Sequence, residues 1–144
     1  MSEEPIQPIR IMTVDDHPVA RAWLEIVIRS QEGMEIVGEA ETGREAIEIA
    51  KRLQPDIIML DIDLGEESGL DLLPELREVA KETRVLMLTG MRDPEAHRRA
   101  VRLGAMGVVL KEKADEAIIS AIRSAHAGEV WMDRSLMESL LADD

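Results

Sequence analysis

The sequence contains no cysteine, no phenylalanine and no tyrosine. Without cysteine there is no disulfide framework and no thiolate metal site, which fits a reducing compartment. With Trp23 and Trp131 as the only aromatics, any core must be filled by Leu, Ile, Val, Ala and the nine Met. No stretch approaches the ~20 consecutive apolar residues of a membrane span. The N-terminus "MSEEPIQPIR" opens with acids and has no apolar run, so it reads as neither signal peptide nor anchor. Positive charge is scarce too: 17 Lys and Arg against 30 Asp and Glu leave a net charge of −13. A field of that sign repels phosphate backbones and acidic lipid surfaces, so neither nucleic acid nor membrane is expected as a direct partner. These features together point to a cytoplasmic protein.

What is present is a chain of 144 residues, 45% hydrophobic, enough for one domain with a sizeable core. Five short apolar runs, "IRIMTV", "MEIVGEA", "IIML", "RVLML" and "GVVL", alternate with amphipathic segments. Apolar residues at consecutive positions mark parallel strands covered on both faces. The intervening segments carry helix punctuation. Pro18 falls in a first turn, followed by an apolar stripe of Ala22, Trp23, Ile26 and Val27. Thr42 with Glu45 and Ser68 with Asp71 have capping-pair spacing. Asp93-Pro94 starts a helix that Gly104 can end, and Ala117, Ile118, Ala121, Ile122 and Ala125 stripe a last helix that Gly128 can end. The expected fold is α/β, a (βα)5 sheet with helices on both faces. The expected boundaries are an N-terminal extension over 1–8, the domain over 9–127, and a tail or linker helix over 128–144. In that tail Leu136, Met137, Leu140 and Leu141 form an amphipathic pattern, either the start of a linker or dimer contact, or a cap on the domain itself.

Ligands bind such sheets at the carboxyl ends of the strands. Asp15-Asp16 follow the first strand, Asp61 the third, Thr89 the fourth and Lys111 the fifth. Alone, each has an ordinary explanation: Asp16 or His17 as a helix cap, Thr89 as a strand residue, Lys111 as a solvated charge. Convergence of all five on one sheet edge outweighs the separate explanations. Two unit charges ~4 Å apart repel by about 4 kcal/mol at an effective dielectric near 20, so three clustered carboxylates require raised pKa values or a cation. Lys111 supplies one positive charge, and a hard divalent ion held by oxygens, in the manner of Mg²⁺, would supply the rest. Beside both, Asp61 can act as a nucleophile toward phosphorus. His17, His97 and His126 lie at scattered positions without ligand spacing, so a zinc or His-based catalytic site is not supported.

"TVDDHP", "IIMLDIDLGEESGL", "VLMLTG" and "GAMGVVLKEK", in that order over roughly residues 9–127, resemble the receiver domain of two-component response regulators. Twenty-eight residues separate Asp61 from Thr89 and 22 more lead to Lys111. "VDDHP" and the tail "AGEVWMDRSLMESLLADD" resemble the LuxR-type subfamily, whose receivers precede a helix-turn-helix. The resemblance implies a doubly wound five-stranded parallel sheet in the flavodoxin-like order 2-1-3-4-5. It implies that Asp61 accepts a phosphoryl group from a sensor histidine kinase and that Thr89 and Lys111 contact the phosphoryl oxygens. Mg²⁺ would be held by Asp15, Asp16, Asp61 and the backbone carbonyl of Asp63. Phosphorylation and dephosphorylation would be self-catalysed, and the modified domain would switch partner contacts or form a homodimer, regulating transcription through an effector domain.

Three positions depart from the family pattern. Val108 stands where an aromatic switch residue is usual, Gly65 replaces a common Pro and leaves its loop freer, and Glu112 follows Lys111 where Pro is frequent. The side chain of Asp63 is expected at the mouth of the pocket, orienting water. "LDIDLG" also resembles the nucleophile motif of haloacid dehalogenase-like phosphatases, although those enzymes place the acidic metal pair last and here it comes first. A receiver-shaped module that is never phosphorylated is the third reading.

Overall fold

The computed structural model describes residues 7–90, 93–132, 134, 137, 138 and 141, without the side chains of 114–116. Most of the N-terminal extension, Met91 and Arg92 of the "TGMRDP" loop, and Leu136 and Leu140 of the tail pattern lie outside the described residues. The elements run β1 (Ile9–Val14), α1 (Pro18–Arg29), β2 (Met34–Ala40), α2 (Gly43–Leu53), β3 (Ile57–Asp61), β4 (Asp63–Leu64), β5 (Glu67–Ser68), α3 (Gly69–Val79), β6 (Arg84–Thr89), α4 (Pro94–Arg102), β7 (Gly107–Leu110), a 3₁₀ turn (Lys111–Lys113), α5 (Ala114–His126) and β8 (Trp131–Met132).

The main sheet is parallel in the order β2-β1-β3-β6-β7-β8. Its first five strands follow the expected 2-1-3-4-5 order, and β3 is buried at all five positions, as its unbroken apolar sequence demands. Alternate residues along the strands feed two cores. Met12, Ile58, Leu60, Met87 and Val108 pack with Ala46 and Ala50 of α2, Leu73 and Leu76 of α3 and Ala100 of α4. Ile11, Met59, Leu86 and Val109 pack with Leu24 and Ile28 of α1 and Ile118, Ala121 and Ile122 of α5. The aliphatic composition suffices because each helix lays one narrow apolar row on the sheet.

Capping is largely where the sequence put it. Thr42 accepts from the Glu45 N–H at 3.2 Å and Asp93 accepts from the Glu95 N–H at 3.1 Å. Ser68 caps α3 as expected, but bonds the N–H of Leu70 rather than that of Asp71. Gly104 and Gly128 follow α4 and α5 with φ of 101° and 85°.

Four features differ from expectation. A sixth strand, β8, pairs Trp131 with Gly107 and Met132 with Val108, so the first part of the tail completes the sheet edge. Of the expected stripe of α1, Val27 alone packs against the core. Leu24 and Ile28 are buried while Ala22, Trp23 and Ile26 are exposed, because α1 carries apolar residues around more than one face and only one row can reach the sheet. The loop after Asp61 is not freer for having Gly65, because it is an antiparallel hairpin in which Asp63 pairs with Ser68 and Leu64 with Glu67. Gly65 takes the first position of its two-residue turn at φ 70°, a conformation closed to Pro and natural to Gly. The fourth difference concerns His17 and belongs to the site. At the described tail positions, Met137 and Leu141 are exposed.

Candidate functional site

Each expected site residue sits where a strand runs out of the sheet. Asp15 follows β1 directly and is tied to the neighbouring strand by its N–H to the Ala40 carbonyl at 3.0 Å. Asp61 is the last residue of β3, paired with Leu88, one position before Thr89 at the end of β6. Lys111 opens the 3₁₀ turn after β7. Asp15, Asp61 and Thr89 are buried, and Lys111 and Asp16 are half-buried. A cleft of about 460 Å³ lined by Asp15, His17, Trp23, Leu88 and Lys111 opens here. A larger one of about 660 Å³, lined by Asp56, Arg77, Thr83 and His126 among others, lies away from these groups.

The Asp61 carboxylate is held at both oxygens. The Asp63 N–H donates to Oδ1 at 3.0 Å, and Lys111 Nζ donates to Oδ2 at 2.6 Å. Lys111 also lies 3.9 Å from Asp15 Oδ2. Burial raises the Asp61 carboxyl above its ordinary range, with the Asp15 charge adding to the effect, while the hydrogen bonds from Lys111 and Asp63 and the Lys111 charge pull the other way. The hairpin closes over the acidic side, where a Cβ on Gly65 would stand 3.1 Å from Asp16 Oδ2.

Oxygens of Asp15, Asp16 and Asp61 and a ring nitrogen of His17 lie within 4.8 Å of one another. Asp15 Oδ2 and Asp16 Oδ1 are buried with no hydrogen-bond partner. Buried carboxylate oxygens without a partner are costly unless a cation satisfies them, so this set fits a hard divalent ion. The Asp63 side chain is exposed.

His17, expected at most as a helix cap, lies in the cluster. Its Nδ1 lies 3.1 Å from Asp15 Oδ1, 3.0 Å from Asp16 Oδ1 and 3.8 Å from Asp61 Oδ2. It is the N-cap residue of α1 but makes no side-chain capping bond. The three histidines lack ligand spacing along the chain, and His17 nonetheless lies among the acids of the cluster. Ligand spacing along the chain cannot reveal a group whose partners come from two different strand ends.

Residues 11–123 match the family described as response regulator receiver domain. The chain is 33% identical over 136 residues to the nitrate/nitrite response regulator protein NarL of Escherichia coli K12, covering 94% of this chain and 63% of that protein. It is 35% identical over 134 residues to the oxygen regulatory protein NreC of Staphylococcus epidermidis, covering 92% of this chain and 62% of the relative. The chain thus spans a little under two thirds of the length of these curated relatives. Among solved structures it resembles a LuxR-family two-component response regulator from Aurantimonas sp. SI85-9A1, with TM-score 0.90, 27% identity and coverage of 95% of this chain and 98% of that one. It also resembles the signal receiver domain of the putative response regulator NarL from Mycobacterium tuberculosis, with TM-score 0.80, 28% identity and coverage of 85% and 99%.

Proposed function

The chain belongs to the response regulator receiver domain family, and from that premise we propose that Asp61 is its phosphoacceptor, loaded by a sensor histidine kinase in the presence of Mg²⁺. The observation that carries the assignment is the Asp61 carboxylate itself, buried at the end of β3, bonded to Lys111 at 2.6 Å and grouped with Asp15 and Asp16. In the transfer, an Asp61 oxygen attacks phosphorus as the P–N bond of a phosphohistidine breaks, and the bonding pair returns to the donor imidazole. The attacking group is already an anion, so no base is required. The Asp63 N–H orients the carboxylate, and Lys111 moves from Asp61 Oδ2 to the phosphoryl oxygens. Thr89 receives the modified group at the adjacent strand end. Asp15, Asp16, Asp61 and the Asp63 carbonyl would hold the Mg²⁺, which when bound offsets charge on the transferring group. Water attacking phosphorus later releases inorganic phosphate and restores the carboxylate.

The order of the acidic residues, with Asp15 and Asp16 directly after the first strand, and the family membership both weigh against the dehalogenase-like phosphatase. The relatives named above are regulatory proteins longer than this chain, which supports a role in transcription control through additional length, with phosphorylation shifting homodimer or partner contacts. The test is intact-mass measurement after incubation with a small acyl phosphate. One phosphoryl mass should be added with Mg²⁺ and none with EDTA, and cation-independent labelling would contradict the proposal.

A further inference from the structure

Three carboxylates would suffice for Mg²⁺, yet a fourth ligand atom stands in the cluster and it is nitrogen. Metal–ligand bonds of ~2.1 Å place adjacent octahedral ligands about 3.0 Å apart and opposite ligands about 4.2 Å apart. His17 Nδ1 is 3.0 Å from Asp16 Oδ1 and 3.1 Å from Asp15 Oδ1, separations that suit neighbours around one ion as well as the hydrogen bond the ring makes to Asp15 when Nδ1 carries the proton. Its 3.8 Å to Asp61 Oδ2 falls between the adjacent and opposite values. Asp15 Oδ2 and Asp16 Oδ1 are buried without a hydrogen-bond partner, and one ligand atom from each of Asp15, Asp16, His17 and Asp61 lies within 4.8 Å of the others.

The backbone holds the ring there. Pro18 disfavours the helical region for the residue before it, and His17 is extended, with φ −99° and ψ 108°. The His17 N–H donates to Asp15 Oδ1 at 2.8 Å, fixing the start of the side chain against the acid it faces. The side chain is 54% exposed, so an ion can reach the site from solvent past the ring.

We propose that His17 is a nitrogen ligand of this site and that it tunes the site toward borderline transition dications, of which Mn²⁺ is the probe, at the expense of Mg²⁺. The neutral ring with its proton on Nε2 presents a lone pair at Nδ1. Imidazole nitrogen favours first-row transition ions, whereas Mg²⁺ keeps oxygen and water around it. This rests on the reading that the acidic cluster holds the divalent ion needed for phosphorylation, and it adds which ion the residues select.

The experiment is calorimetric titration of the whole chain with Mn²⁺ and separately with Mg²⁺, for wild type, His17→Ala and His17→Gln. It is paired with electron spin-echo measurement of ¹⁴N coupling to bound Mn²⁺. Circular dichroism establishes that each variant is folded. The preference for Mn²⁺ over Mg²⁺ should fall about tenfold or more in both variants, with Mg²⁺ affinity nearly unchanged, and the ¹⁴N coupling of the wild type should vanish. An unchanged preference, or no ¹⁴N coupling in the wild type, overturns the inference and leaves His17 as a hydrogen-bond partner of the acids. In that case cation-dependent labelling of Asp61 would still stand. If instead neither ion binds and labelling ignores EDTA, the underlying reading of the cluster fails as well.

Discussion

Asp61→Asn should make the metal-free protein more stable, and the structure indicates by how much. Oxygens of Asp15 and Asp16 lie within 4.8 Å of Asp61. At an effective dielectric near 20 each repels it by at least about 3.5 kcal/mol, or about 7 together. Lys111 at 2.6 Å returns about 6 kcal/mol on the same scale. The Coulomb parts nearly cancel, which leaves the loss of hydration of a carboxylate whose side chain is 1% exposed. Replacing a buried ion pair as a whole is neutral to stabilising by about 1–4 kcal/mol, and here Lys111, with 32% of its side chain exposed, is not left as a buried charge. The amide keeps an oxygen for the Asp63 N–H, and Lys111 keeps Asp15 at 3.9 Å. A gain of about 2 kcal/mol, roughly 1 M in urea midpoint, is therefore expected in EDTA at neutral pH. The sign with pH follows from the raised Asp61 carboxyl. The folded state holds that proton more tightly than the unfolded state, so the contribution of Asp61 to stability is fullest below the ordinary value of 3.8 and falls as pH rises through the raised folded value. The advantage of Asp61→Asn should be absent below pH 3.8, open across that window and stay constant above it. Urea melts of both proteins across this range in EDTA provide the assay. A variant no more stable than wild type at neutral pH, or an advantage independent of pH, would refute the reasoning.

The exposed Asp63 side chain at the mouth of the site is expected to orient water toward phosphorus, so Asp63→Ala should lengthen the lifetime of the phosphorylated form several-fold. Decay of the phosphorylated mass after donor removal measures this, and unchanged or faster decay would leave Asp63 as a surface charge. A Cβ on Gly107 would meet the Trp131 carbonyl oxygen at 2.5 Å and Leu86 Cδ2 at 2.9 Å. Gly107→Ala should therefore detach β8 and cost about 1–3 kcal/mol. Hydrogen exchange at Trp131, whose N–H donates to the Met106 carbonyl at 2.8 Å, should speed up in that variant, and unaltered exchange would show that β8 adjusts without leaving.

The five strands and the carboxyl-end site were legible because they are written locally. "IIML" has the length and composition of a strand covered on both sides, and polar residues directly after such runs have one sheet edge to occupy. What was not legible depends on choices made in three dimensions. Helix α1 offers two apolar rows, and nothing in the order Ala22, Trp23, Leu24 says that Leu24 goes inward and Trp23 stays half out. Strand β8 is two residues long and exists only because Gly107 leaves room for the Trp131 backbone, a contact between distant segments. Gly65 showed its lack of a side chain, but the hairpin it turns also depends on the pairing of Asp63 with Ser68. His17 looked like a helix cap, and its ring meets Asp61 only because β1 and β3 are neighbours in the sheet.

The central claim, that Asp61 carries the phosphoryl group, is tested most directly by locating the modification. An acyl phosphate on aspartate is reduced by borohydride to homoserine, which peptide mass mapping identifies. After treatment with a small acyl phosphate and Mg²⁺, homoserine should replace Asp61 alone, and Asp61→Asn should give no homoserine anywhere. Homoserine at Asp15, Asp16 or Asp63 in the wild type, with Asp61 intact, would contradict the account.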